Sequence, residues 1–277
     1  MSVDRLDALL KRFSVNAQMF HSGPLCGVNN LAATPDGGQL HLIRSGVVEV
    51  VHGSKQRKVI REPSLILYPR SLAHRFITDP KAGADMACAN VSFNAGGSNP
   101  IARALPPLII MPLADIEGAA PVLDVLFREA FAQAACGRRH VVNRLFEVVL
   151  ILILRTVMNR GEVAEGLLAG MADSRLSKAL VAMHEAPDKS WTLDQLAQQA
   201  GMSRSHFAAT FHEIVRTPPG DYLACYRISV AQDMLRRGES LKMIAGAVGY
   251  GSTAALSRAF SAVSGKSPRE WKAAAEV

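Results

Sequence analysis

Cysteine is scarce in this 277-residue chain: there are four, and none stands in a Cys-x2-Cys pair. A disulfide-stapled scaffold and a tight zinc knuckle are therefore excluded as organising principles. Long apolar runs are also missing. The most apolar stretch, Val148–Leu154, is bounded by Glu147 and Arg155, and its seven residues fall well short of the ~20 that a membrane-spanning helix needs. Met1–Leu6 does not read as a signal peptide; it reads as a short amphipathic helix running to about Phe13. The expectation is a soluble cytoplasmic protein, without a membrane partner, whose cysteines are thiols. Neither sign of charge dominates, with 31 Lys and Arg against 24 Asp and Glu, net +7. Residues 173–277 carry +3 of this and the remainder +4, which suits a polyanionic partner without singling one out. Length suggests two domains, and a hydrophobic content of 49% is enough for ordinary cores.

What is present, and decisive, is a pattern written twice between Trp191 and Trp271. The first copy runs from Leu193 through Leu196, Ala197, Ala200, Gly201 and Ser203 to Phe207 and Phe211. The second runs from Leu241 through Ile244, Ala245, Val248 and Gly249 to Leu256 and Phe260. Ala197 and Ala245 are 48 positions apart, as are Gly201 and Gly249, while Phe211 and Phe260 are 49 apart. Each of those two phenylalanines is followed eight positions on by a proline (Pro219, Pro268), and each proline three on by an aromatic (Tyr222, Trp271).

The physics of one copy is readable. Leu193, Leu196, Ala197 and Ala200 recur at helical spacing. Thr192 and Gln195 have capping-box spacing, so a helix starts there. Gly201 ends it and permits the left-handed backbone of a turn. Ser203 caps a second helix whose Phe207 and Phe211 face inward. Outward then lie Arg204, Ser205, His206, Ala208 and Ala209. Such a helix, held by the first, fits a DNA major groove with its N-terminal residues at the base edges. A longer helix at roughly 220–237 joins the copies. Two readers on one rigid helix can enter successive major grooves.

Residues 173–277 resemble the DNA-binding domain of AraC/XylS-type transcription regulators. The resemblance is carried by the Ala197/Gly201 repeat, the Arg227-Ile-x-x-Ala231-x-x-x-Leu235 segment, and Ile244-Ala245-x3-Gly249-Tyr250-Gly251-Ser252. It continues in Ser257-Arg258-Ala259-Phe260-x4-Gly265-Lys266-Ser267-Pro268. Departures are Leu256 in place of Phe, Arg216 where the first copy often has Gly, and Ala208, Ala209 and Ala254 where relatives carry longer polar side chains. The resemblance implies double-stranded DNA as partner and RNA polymerase as a second partner if the protein activates. The recognition helices are expected near 203–215 and 252–264, with Arg204, Ser205, His206 and Ala209 as DNA contacts on the first. Thr253, Ala254, Ser257 and Arg258 are the contacts on the second.

Residues 20–94 change character. Leu40–Ile43, Gly46–Val51, Ser64–Tyr68 and Met86–Phe93 are short apolar segments separated by turn signals, the mark of a small antiparallel barrel or sandwich. Beside the C-terminal half, Leu40-His41-x4-Gly46 and Leu67-Tyr68-Pro69-Arg70-Ser71-x2-His74-Arg75 resemble the cupin-like sensor domain of many AraC-type regulators. Enzymatic cupins hold iron with a His-x-His pair, which is absent at His41. The rival reading, a cupin-type metalloenzyme with a helical accessory domain, loses ground on that count. His21, Cys26, His41, His74 and Cys88 remain as candidates. They are zinc or other transition-metal ligands, or Cys26 and Cys88 form a redox pair, or all of them simply pack.

Two helices are expected at 121–136 and 140–159. The second is more apolar than one buried face needs, which points to a homodimer interface or, as the alternative, to a helix deep in the core of its own domain. The fold class that follows is α+β. An N-terminal antiparallel barrel with dimerisation helices (1–160) leads through a linker (161–172) to an all-α domain with two helix-turn-helix units and a connecting helix (173–277). The function that follows is an effector-responsive, sequence-specific DNA-binding regulator, not an enzyme.

Overall fold

A computed structural model of the chain describes residues 4–33, 37–53, 56–93, 99–132, 135–161, 163 and 165–275. In chain order its strands are β1 (Val15–Leu25), β2 (Val28–Leu31), β3 (Gly38–Ser45), β4 (Val48–His52), β5 (Gln56–Ile60), β6 (Ser64–Tyr68), β7 (His74–Ile77), β8 (Ala84–Phe93) and β9 (Ile109–Pro112). The helices of the N-terminal two-thirds are α1 (Asp7–Arg12), α2 (Pro100–Ala104), α3 (Ala120–Phe131), α4 (Arg138–Arg160) and α5 (Leu167–Ala172). They are followed by α6 (Leu176–Glu185), α7 (Leu193–Ala200), α8 (Arg204–Val215), α9 (Pro219–Arg236), α10 (Leu241–Ala247), α11 (Thr253–Ser264) and α12 (Pro268–Ala275). Among the described residues no helix is long and apolar enough to cross a membrane.

Packing divides the chain into two units. One comprises Val15–Gly97 and Leu105–Arg160; the other comprises Met1–Ser14, Ser98–Ala104 and Gly161–Val277. The expected division at residue 160 is therefore not the division of the packing. α1 belongs with the C-terminal unit because its apolar face is buried there. Leu9 and Phe13 are fully covered, the Phe13 ring meets Tyr226 edge-on at 5.9 Å, and Arg5 donates to the carbonyl of Met171 at 3.0 Å.

The expected linker also needs correction. Residues 162 and 164 lie outside the described residues, but 167–172 form α5, with Leu167, Leu168 and Met171 buried. Gly170 permits this packing, since a Cβ there would lie 2.9 Å from both Leu180 and Val215. The helix expected to reach Cys136 ends at Phe131, where Ala132 turns to extended backbone; residues 133–134 lie outside the described residues.

The first unit holds two antiparallel sheets, in the orders β1-β8-β3-β6-β9 and β2-β7-β4-β5. Alternate residues of both sheets face a common interior built of Ile43, Val48, Val50, Ile66, Phe76 and Met86. β1 is an edge strand, which is where Pro24 is tolerated. Its exposed N–H groups are satisfied from α4, with Met19 N–H donating to Asn143 Oδ1 at 2.8 Å and Ala17 N–H to Glu147 Oε1 at 3.4 Å. α4 packs against α3 and β1, and its Val142, Phe146, Val149, Leu150 and Ile153 are buried.

Candidate nucleic-acid interface and barrel interior

The two copies fold as the repeat requires. α7 starts in a complete capping box: Gln195 N–H donates to Thr192 Oγ1 at 3.2 Å, and Thr192 N–H donates to Gln195 Oε1 at 3.1 Å. It ends at Gly201 in the left-handed conformation, φ 64°. Ser203 and Ser252 cap α8 and α11, accepting from His206 N–H at 3.4 Å and Ala255 N–H at 3.1 Å. Phe207, Phe211, Leu256 and Phe260 are fully buried. The aromatics that follow the prolines close each copy in the same way. The Phe211–Tyr222 centroids lie 5.7 Å apart and the Phe260–Trp271 centroids 6.0 Å apart, both edge-on.

Because those residues hold the inner faces, the outer faces are free. Arg204, Ser205, His206 and Ala209 on α8 are exposed, as are Thr253, Ala254 and Arg258 on α11; Ser257 is half-buried. Arg204 meets Asp194 at 3.5 Å, with both side chains solvated, a contact of little energy that leaves the guanidinium free to change partner. The exposed stripe of α8 continues to His212, which the sequence reading did not include.

Inside the barrel, strand register brings distant residues into rows. His21 pairs with Cys88, Cys88 with His41, and His41 with Ile66, so these side chains share one face of the five-stranded sheet. In the facing sheet His52 pairs with His74. His41 Nε2 and His74 Nε2 meet at 3.0 Å in the buried interior. Tyr68 stacks on His74 at 4.1 Å, and Phe76 stands edge-on to His41 at 4.8 Å.

The proton positions follow from the partners. His74 Nδ1 lies 2.9 Å from the Leu72 carbonyl and so carries its hydrogen. His74 Nε2 is then the acceptor and His41 Nε2 the donor. His41 Nδ1 is left as a buried lone pair without a partner, and Tyr68 Oη is also unpartnered. Burial holds His41 well below the ordinary histidine range, and the neighbouring His74 and His21 push the same way. His74 is lowered by burial, against its carbonyl partner. Burial pushes the Cys88 thiol up, so it stays protonated and unreactive.

Cys26 does not join this group. Leu25 pairs with Ala84 while His21 pairs with Cys88, and a Cβ on Gly83 would touch Cys26 Sγ at 2.7 Å. Cys26 is thus about five residues along the sheet from Cys88, roughly 16 Å at the rise of a strand. A disulfide needs Cα atoms within about 7 Å, so the Cys26–Cys88 redox pair is excluded in this fold. Among the described residues no three His, Cys, Asp or Glu side chains are set to hold a metal ion. The two facing imidazole nitrogens of His41 and His74 are the metal-capable atoms the fold brings together.

Residues 4–159 match the family model described as Cupin, and residues 196–274 match the one described as Helix-turn-helix domain. The chain belongs to the Cupin family, and after that domain it carries a helix-turn-helix domain of AraC type. Among its relatives is a putative AraC-like transcription regulator of Streptomyces lividans, 35% identical over 65% of this chain and 60% of that one. The RCS-specific HTH-type transcriptional activator RclR of Escherichia coli is 24% identical over 96% of this chain and 97% of that one. Alignments to four of the curated relatives span only 44–60% of their lengths. ToxT from Vibrio cholerae, a solved structure, is 14% identical with a TM-score of 0.40, covering 95% of this chain and 97% of that chain.

The two copies differ at the ends of α8 and α11. Arg216 adopts φ 63°, where the second copy has Gly265 at φ 71°. Arg216 is the one non-glycine with positive φ among the described residues. An ion pair with Glu165 at 2.6 Å accompanies it.

Proposed function

We propose that this protein is a sequence-specific transcription regulator that lays α8 and α11 into successive major grooves of one DNA duplex. The observation that carries the reading is the matched pair of serine-capped helices, each buried through its phenylalanine or leucine face and exposed along the other. Backbone N–H groups at both helix starts favour phosphate, while Arg204, Ser205, His206 and Ala209 face one groove. Thr253, Ala254, Ser257 and Arg258 face the next. RNA polymerase becomes a partner where the operator adjoins a promoter. The reading assigns no catalytic step to the chain.

The test is binding of the full chain to duplexes selected from a random library, titrated by fluorescence anisotropy at several salt concentrations. Affinity should fall steeply with salt. Arg258→Ala should cost about 1–3 kcal/mol if the guanidinium reads a base. Unchanged affinity would refute that role, and salt-independent binding would refute the interface.

The barrel is the sensing half of the same proposal, with the His41–His74 pair as its responsive group. If the His41 hydrogen moves from Nε2 to the unpartnered Nδ1, both Nε2 lone pairs become available to zinc or a similar borderline metal, which would have to bring its remaining ligands with it. Elemental analysis of protein purified without chelator, beside His74→Gln, decides between a metal effector and a purely structural pair. The dimer is proposed on α4. Val141 and Val148 are 43% and 41% exposed, and with Leu145 and Leu152 they form one outward stripe at coiled-coil spacing. Sedimentation of Val148→Glu against the parent chain tests it, with a shift from dimer to monomer as the result expected.

A further inference from the structure

Arg227 opens the motif on the helix that connects the two copies, and the DNA contacts above make no use of it. Its side chain turns back along the C-terminal unit. Nε donates to the Pro187 carbonyl at 2.6 Å, and one terminal nitrogen donates to the Lys189 carbonyl at 2.9 Å. These carbonyls belong to the loop between α6 and α7, the entry to the first copy. That loop is itself tightly closed: Trp191 Nε1 donates to Ala186 O at 2.9 Å, and the Lys189 ammonium sits 3.9 Å from the Trp191 ring.

The other side of the same guanidinium faces the second copy. Its carbon lies 5.7 Å from the Tyr250 ring centroid. A Cβ on Gly249 would come within 2.9 Å of the Arg227 nitrogen and 2.5 Å of the Asp188 carbonyl. Gly249-Tyr250 is the turn between α10 and α11. The equivalent glycine of the first copy, Gly201, would meet nothing within 4 Å. Gly201 thus serves only its left-handed backbone, while Gly249 also removes the side chain that would hold the two copies apart.

We propose that Arg227 is a positioning residue that clamps the entry loop of the first copy to the turn of the second, and so sets the half-site spacing the protein accepts on DNA. The connecting helix alone anchors each copy on one side only. The clamp adds a second point of attachment, and two points resist rotation where one does not. A planar fork of donors suits two carbonyls and a ring face together, which an ammonium cannot match. Spacing is the property at stake because each added base pair shifts a half-site by roughly 3.4 Å and turns it by about a tenth of a helical turn. The inference rests on the reading that α8 and α11 bind one duplex.

The experiment is selection from a randomised duplex library by the full chain and by Arg227→Lys and Arg227→Gln. The parent chain should return two half-motifs at a single spacing. Arg227→Gln should return the same half-motifs with spacing scattered by a base pair either way. It should also bind the parent-spaced duplex about tenfold more weakly and a one-half-site duplex unchanged, with Arg227→Lys between. A spacing that stays sharp in Arg227→Gln overturns the proposal, and so does an equal loss on the one-half-site duplex. If the parent chain returns a single half-motif, the two-helix reading has failed instead. The clamp is then judged without DNA, by spin-label distances between Ser205→Cys and Ser261→Cys in a chain whose native cysteines are serine. A distance distribution that broadens in Arg227→Gln supports it, and an unchanged one overturns it. Gly249→Ala, which forces the contact apart with Arg227 in place, should broaden spacing in the same sense.

Discussion

The two helix-turn-helix copies meet the same backbone demands with different residues. Ala197 and Ala245 are both almost fully buried at the helix crossing, and α8 and α11 are both twelve residues long. Yet the first copy closes α8 on Arg216 and the second closes α11 on Gly265, both left-handed. The turn glycines share their conformation, φ 64° and 75°, but only Gly249 is pressed against another chain segment. The difference teaches that a repeat specifies its backbone locally, while the identity of each residue is decided by what lies beyond the repeat.

The largest contrast should appear at those two glycines. Gly201→Ala adds only left-handed strain, about 1 kcal/mol. Gly249→Ala adds the same strain and overpacks against the Asp188 backbone, for about 2–4 kcal/mol together. Urea unfolding of both variants measures the gap, and equal costs would mean that the Asp188 contact relaxes freely.

Acidity should separate the copies next. His184 lies in α6 under the first copy, its Nε2 2.6 Å from Tyr222 Oη, and the second copy contains no histidine. Burial lowers His184 from 6.5 to about 3, so the folded chain keeps it neutral while the unfolded chain protonates it below about pH 6.5. Stability is thus undiminished above that value and is lost as pH falls from about 6.5 towards 3. The loss is about 2 kcal/mol by pH 5. Urea midpoints followed by Trp191 fluorescence should fall between pH 7 and 5 in the parent and much less in His184→Gln. A variant with the full slope would remove His184 from the account.

The smallest effects concern the helix ends, where exchange of the residues should reverse the sign. Arg216→Gly relieves left-handed strain and loses an exposed ion pair of little energy, for a net gain of about 0.5–1 kcal/mol. Gly265→Ala should lose about 1 kcal/mol. Thermal melts of the two variants in parallel would show both shifts. A destabilised Arg216→Gly would mean that the Glu165 pair matters more than its exposure suggests.

Legibility in the sequence tracks how local each cause is. Both recognition helices were readable to within a residue, because serine caps, buried phenylalanines and turn glycines act within a dozen positions. The four apolar strands were readable from their patterning. β1 was not: its Val-Asn-Ala-Gln-Met-Phe-His-Ser-Gly-Pro-Leu carries a bulge between Met19 and His21, which breaks the alternation that marks a strand. Of the five barrel candidates, register gathers His21, Cys88 and His41 on one face and sets His74 against them. The same register carries Cys26 away and brings in His52, which no spacing rule had marked.

By itself the sequence determined the helix-turn-helix half: the doubled unit, its caps, and the residues left outward by a buried stripe. Those follow from helical periodicity and capping, which are properties of neighbouring residues. Only the tertiary structure decided that α1 and α2 pack with the C-terminal unit, that His41 and His74 share a proton, and that Arg227 reaches both copies. Each of these depends on strand register or on contacts between residues far apart in the chain, and no local pattern encodes either.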